Sequence, residues 1–187
     1  MRFVFAVALL LLVSLVTAAP AHADPPYGPT APPPGAVGPF QIRNVYNNRC
    51  LDTPAQPGGV AAPNGTRLQL WDCYGHGQWN QEWYLRQDSR GRFQLINAWD
   101  GKCVDAVWNG GNGTWVVAWD CDRNMANANQ LWYVGPNGNP TGPIWTLGGR
   151  VLDPRWQNIG WNGTPMQLWD NYNNPSQQWR LVYWTNY

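Results

Sequence analysis

The chain alternates short apolar stretches with polar, glycine-rich breaks. "RLQLW", "EWYLR", "FQLI", "WVVAW" and "MQLW" are each a few residues long and end at Asn-Gly or Gly-rich turns. Short segments at regular spacing between turn signals predict an all-β domain, and no stretch sustains helical periodicity. Asn-Gly favours the positive φ angles of a tight hairpin turn.

These predicted strands recur as whole phrases. "NGTRLQLWDC" at 64–73 returns as "NGTWVVAWDC" at 112–121 and as "NGTPMQLWDN" at 162–171. Upstream of each stands "CLD" (50–52), "CVD" (103–105) or "VLD" (151–153). Downstream stands a Q-x-W: Gln81 with Trp83, Gln130 with Trp132, and Gln177 with Trp179. The landmarks keep their order and recur every 47 to 53 residues. One such unit cannot bury its own apolar face, so three must close on one another as a barrel or ring. Each "NGT" is formally an N-glycosylation sequon. Its fixed place in the repeat is explained by turn chemistry.

"CLD…QLWDC…NQEW", "CVD…VAWDC…NQLW" and "VLD…QLWDN…SQQW" together resemble the ricin B-type lectin family, with its QxW signature three times over. The resemblance covers essentially all of residues 41–187. It implies a β-trefoil, three four-stranded units about a pseudo-threefold axis, with repeats at about 41–90, 91–140 and 141–187.

Outside that domain the composition changes. Residues 1–23 carry one positive charge, an apolar run from Phe3 to Val16 and an A-x-A pattern at Ala21 and Ala23. This reads as an export signal with cleavage before Asp24, too short to span a membrane. Residues 24–40 are dense in proline and glycine and read as a semi-extended linker or tail. From Asp24 onward the chain has eleven acidic and eleven basic residues and no basic run, which argues against binding to nucleic-acid phosphates. The 14 tryptophans exceed what so small a core requires, so some are expected at the surface for binding.

Four cysteines in an exported chain suggest disulfides, and the absence of C-x-x-C argues against zinc. Their places in the repeat, which are also the family pattern, pair Cys50 with Cys73 and Cys103 with Cys121. In the third copy both positions change together, to Val151 and Asn171, leaving that unit unstapled.

In the family, sugar is held by the Asp of C-x-D, the Gln and aromatic residue before the second Cys, and the Asn-Gln that opens QxW. Aromatic faces stack on pyranose rings, and a carboxylate accepts from hydroxyls. The resemblance carries these roles to Asp52, Gln69, Trp71, Asn80 and Gln81 in the first copy, which matches throughout and ranks first. The second offers Asp105, Trp119, Asn129 and Gln130, with Val117 in place of the Gln. The third offers Asp153, Gln167, Trp169 and Gln177, with Ser176 in place of the Asn, and ranks last. Trp83, Trp132 and Trp179 are expected in the core. Trp108 and Trp156, three residues after their Asp, are candidates for a second aromatic wall that would favour chain-internal sugars; the first copy has Ala55 there.

Catalytic tools are few. His76 is the only histidine after Asp24, and Glu82, expected to be exposed, is the only glutamate. A glycosidase needs two carboxylates across the scissile bond, and no metal or cofactor motif stands out. The expected protein is therefore a secreted or cell-wall-associated carbohydrate-binding module rather than an enzyme. The alternatives are a trefoil that binds or inhibits a protein partner, or an accessory subunit that targets a separate enzyme.

Overall fold

The computed structural model describes residues 29–135 and 141–183. The export signal expected over 1–23 lies outside them. The first repeat contributes strands β1 (Ala36–Asn44), β2 (Cys50–Asp52), β3 (Thr66–Arg67), β4 (Gln69–Trp71) and β5 (Glu82–Gln87). The second contributes β6 (Phe93–Asn97), β7 (Cys103–Ala106), β8 (Val116–Trp119) and β9 (Trp132–Val134). The third contributes β10 (Thr141–Gly142), β11 (Ile144–Thr146), β12 (Val151–Pro154), β13 (Thr164–Trp169) and β14 (Trp179–Tyr183). β3 and β4 are one strand interrupted at Leu68; β10 and β11 are one interrupted at Pro143, which has no N–H for the ladder.

The outer strands of the repeats close a ring. β1 pairs with β5, β5 with β6, β6 with β9, β9 with β11, β10 with β14, and β14 returns to β1. The inner strands form three hairpins, β2–β4, β7–β8 and β12–β13, that cap one end. This is a β-trefoil, with an apolar core shared by all three repeats, including Ile42, Leu51, Leu70, Leu95, Val104, Leu152 and Leu168.

The QxW tryptophans fix how barrel and cap meet. Trp83, Trp132 and Trp179 are buried, and their indole N–H groups donate to the carbonyls of Leu51, Val104 and Leu152 at 3.1, 2.9 and 3.1 Å. Each acceptor is the residue immediately before the repeat's Asp. A buried indole needs such a partner, and here the partner sets the height of the Asp-bearing strand.

The repeated phrases interlock end to end. Asn64 donates to Asp120 at 2.8 Å, Asn112 to Asp170 at 2.8 Å, and Asn162 to Asp72 at 2.9 Å, so the NGT turn of each repeat grips the W-D of another. Lys102, Arg150 and Arg49, each just before its C/V-x-D triplet, join these three joints. The glycine of each turn lies under a tryptophan: a Cβ added at Gly65, Gly113 or Gly163 would sit 3.7, 3.9 or 3.9 Å from Trp119, Trp169 or Trp71. The triplet thus serves as an inter-repeat joint as well as a turn.

Cys50–Cys73 and Cys103–Cys121 are both formed, with Cα atoms 5.1 and 5.0 Å apart. The linker reading of 24–40 requires correction at its C-terminal end. β1 begins at Ala36, where Ala36 and Val37 pair with Arg86 and Leu85. Further upstream, the Thr30 amide donates to the Ala98 carbonyl at 2.7 Å, and the Tyr84 hydroxyl donates to the Thr30 carbonyl. Proline-rich composition hid this because an extended strap and a flexible spacer have the same sequence texture.

Candidate functional site

Hairpin register brings the predicted residues together. Asp52 lies opposite Gln69, Asp105 opposite Val117, and Asp153 opposite Gln167. Short 3₁₀ turns at Trp79–Gln81, Ala128–Gln130 and Pro175–Gln177 then deliver the QxW glutamine to each Asp.

That glutamine is an organiser. Gln81, Gln130 and Gln177 each donate to their Asp, at 3.0, 3.0 and 3.1 Å, and to the backbone carbonyl of Asp72, Asp120 or Asp170. Their Oε1 atoms accept the backbone N–H of Tyr74, Asp122 and Tyr172. One side chain thereby ties the Asp strand to the loop after W-D.

The three carboxylates then diverge. Asp52 accepts from Gln69 at 2.8 Å and from Asn80 and Gln81 at 3.0 Å each, and is 0% exposed. Asp153 accepts from Gln167 at 2.9 Å and Gln177 at 3.1 Å and is 7% exposed. Asp105 has Gln130 as its one side-chain donor among the described residues, because Val117 has no amide. Among the described residues Asn129 makes no bond to it; the Asn129 backbone N–H donates to Asn127 Oδ1 at 3.1 Å. Burial raises the Asp105 pKa above the ordinary carboxylate range, with Gln130 opposing. Burial likewise raises that of Asp153, with Gln167 and Gln177 opposing.

The third repeat holds a cavity of about 540 Å³ whose walls include Asp153, Gln167, Trp169, Gln177, Trp156 and Tyr172. The sequence ranks the first copy first and the third last, and this cavity lies at the third. Asn80, which completes the first motif, spends its amide on Asp52 and the Thr53 carbonyl. Ser176 turns its hydroxyl to Asn174 at 2.6 Å and leaves Asp153 with one donor fewer. The substitution that looked like a defect lowers the internal hydrogen bonding of that carboxylate.

Trp156 is in the cavity wall, as the second-wall expectation holds, and is 64% exposed with Tyr46 6.1 Å away, centroid to centroid. Trp108 instead projects into solvent, 87% exposed on a backbone of φ 60°. Trp119 is also exposed, whereas Trp71 and Trp169 are half-buried.

Sequence reasoning missed Trp115, which crosses from the second repeat to line the third repeat's cavity. The Arg67 guanidinium lies 3.5 Å from its ring centroid and that of Arg155 5.5 Å. A signal existed: the residue after NGT is aromatic in the second copy alone. Glu82 is a correction. It is fully buried, accepts from the Gly77 N–H at 3.0 Å and lies 3.1 Å from His76 Nδ1.

The comparison with known proteins agrees with this architecture. A family model described as the ricin-type beta-trefoil lectin domain matches residues 38–179. The chain belongs to this family. Among curated relatives, volkensin of Adenia volkensii is 29% identical over 136 residues, which is 73% of this chain and 22% of volkensin. The chain therefore spans less than a quarter of that relative. Among solved structures, the designed three-fold symmetric protein ThreeFoil superposes with a TM-score of 0.68 at 21% identity, covering 79% of this chain and 100% of ThreeFoil. The ricin B-like lectin of Macrolepiota procera, solved in complex with lactose, gives 0.61 at 20% identity, covering 82% of this chain and 99% of that one. Similarity at that identity speaks for the β-trefoil fold.

Proposed function

We propose that this ricin-type domain is an exported lectin that acts by binding rather than catalysis, with the third-repeat cavity as its principal sugar site. The observation that carries the reading is the meeting there of Asp153, backed by two amides, with the indoles of Trp115, Trp156 and Trp169. A pyranose presents an apolar face to an indole and hydroxyl donors to a carboxylate, and a site needs both. Trp156 at the rim extends the aromatic surface beyond the carboxylate, which suits a unit inside a longer sugar chain. Gln167 and Gln177 hold Asp153 in place; Trp169 and Trp156 stack; Asp153 accepts.

Two further features support the reading. Asp153 is the only carboxylate among the residues lining the cavity, whereas glycoside hydrolysis uses a pair. The expected leader and two disulfides suit an oxidising, extracellular setting.

A glycan and polysaccharide array, probed with the chain from Asp24 and with a folded Asp153→Ala variant, tests this. The wild-type chain is expected to bind a subset of glycans, to be displaced by the matching free oligosaccharide, and to lose that binding in the variant. Silence from the wild-type chain, or binding that no free sugar displaces, would refute the lectin reading and favour a protein partner.

A further inference from the structure

We infer that a second, separate site on the chain, between the β5–β6 hairpin and the second repeat, binds carboxylated sugars of the uronate type. A cavity of about 740 Å³ lies there, walled by Arg86, Arg123, Gln94, Ile96, the strap residues Pro33 and Pro34, and Asp120. Asp120 is the one carboxylate in this wall and is engaged by Lys102 at 2.5 Å, so its charge is already countered. Apart from Asp120, whose carbonyl accepts from Gln130, none of these residues belongs to the three Asp-centred constellations. A neighbouring cavity of about 460 Å³ shares Arg86 and adds Arg90 and Arg92 at the hairpin tip. Asp88 engages Arg92 at 2.5 Å. Arg86 donates to the Arg123 backbone carbonyl, which holds the two arginine positions together. In a chain whose charge is balanced from Asp24 onward, this is a local concentration of guanidinium groups.

The internal repeat shows why the cavity exists. Gln41 and Gln94 occupy the same place on β1 and β6, and each donates its amide to the backbone after a W-D, at Tyr74 and Asp122 respectively. In the first repeat Arg43 donates twice to Gln41 Oε1, at 3.0 and 2.6 Å. The corresponding residue in the second repeat is Ile96, since Arg43 pairs with Cys50 as Ile96 pairs with Cys103. Gln94 is 1% exposed and its Oε1 accepts no hydrogen bond. A buried acceptor in that condition favours any ligand that brings a donor.

The donor set selects the ligand chemistry. Guanidinium groups favour an anion, while Gln94 Oε1 needs a hydroxyl, which sulfate lacks. Pro33, Pro34 and Ile96 offer apolar surface to the C–H face of a ring. A sugar acid satisfies all three requirements at once, and the hairpin-tip arginines continue the path for further acidic units. This inference does not rest on the third-repeat reading.

The test is calorimetric titration of the chain from Asp24 with short oligogalacturonate, comparing wild type, Arg86→Gln/Arg123→Gln, Gln94→Met and Asp153→Asn. Thermal unfolding confirms that each is folded. Loss of roughly tenfold or more in affinity is expected for the arginine pair, and a smaller loss for Gln94→Met, with Asp153→Asn unchanged. Arg123 is exposed and Arg86 half-buried, so the arginine variants remain informative if Gln94→Met does not fold. Absence of binding in the wild-type chain, or equal binding by the arginine pair, would overturn the proposal. Displacement by inorganic sulfate or by poly-glutamate at equal charge would also overturn it, because it would show that charge alone is recognised. If oligogalacturonate binding fell in Asp153→Asn instead, the ligand would belong to the third-repeat cavity and the proposal would be wrong.

Discussion

The first and third repeats carry the same Asp, Gln and Trp in the same hairpin register, yet their carboxylates are in different circumstances. Asp52 receives three amides and is sealed from solvent; Asp153 receives two and borders a cavity. The more complete motif makes the better internal node. A binding site depends on which hydrogen-bonding positions remain available to a ligand, and a motif match does not count those. The third repeat, without a disulfide and without the Asn, has the looser internal bonding and gains an aromatic wall from its neighbour, Trp115. On this reading the first repeat serves mainly to stabilise and the third mainly to bind.

The comparison is sharpest where it concerns stability. Removing the first staple with Cys50→Ala/Cys73→Ala is expected to cost roughly 3 kcal/mol in chemical denaturation, because the bridge closes a loop between residues 23 apart. Val151→Cys/Asn171→Cys should recover part of a similar amount in the third repeat while leaving sugar affinity intact. If the added bridge abolished binding, looseness in that unit would itself be part of the site.

Asp52→Ala comes next. It leaves the amides of Gln69, Asn80 and Gln81 without their shared acceptor in the interior, for an expected loss of about 2 kcal/mol by the same measurement. A neutral result would remove the contrast between the repeats. Ser176→Asn tests the converse. By analogy with Asn80, the new amide should occupy Asp153, adding about 1 kcal/mol of stability while weakening sugar binding several-fold.

The smallest effect is pH dependence, and it carries a sign. Asp105 and Asp153 have folded-state pKa values raised by burial. A carboxyl that holds its proton more tightly when folded favours the folded state as pH falls through the window between its unfolded and folded pKa values. Their contribution to the stability of the free chain should therefore rise slightly on acidification into that window. Sugar affinity should fall over the same range, since the acceptor is being protonated. Affinity and stability moving together there would contradict a binding role for Asp153.

Much of the fold was legible in the sequence. The threefold phrase, the QxW tryptophans and the paired loss of two cysteines each follow from repetition, and repetition survives without coordinates. The Asp–Gln juxtaposition was implied by the family resemblance, and hairpin register is what produces it. What was not legible depended on contacts between repeats or on hydrogen-bond saturation. Trp115 serves a repeat other than its own; Glu82 lies under the His76 loop; and the strap at Thr30 docks a segment whose composition suggests a spacer. The ranking of sites rested on motif completeness, which does not show that the Asn80 amide already serves Asp52.

The most direct measurement is calorimetric titration of one array-identified oligosaccharide into Asp153→Asn and Asp52→Asn, each corrected for its folded fraction. The account predicts that Asp153→Asn loses roughly tenfold or more in affinity, whereas folded Asp52→Asn binds within about twofold of wild type. Loss in Asp52→Asn with retention in Asp153→Asn would place the sugar in the first repeat and contradict the account.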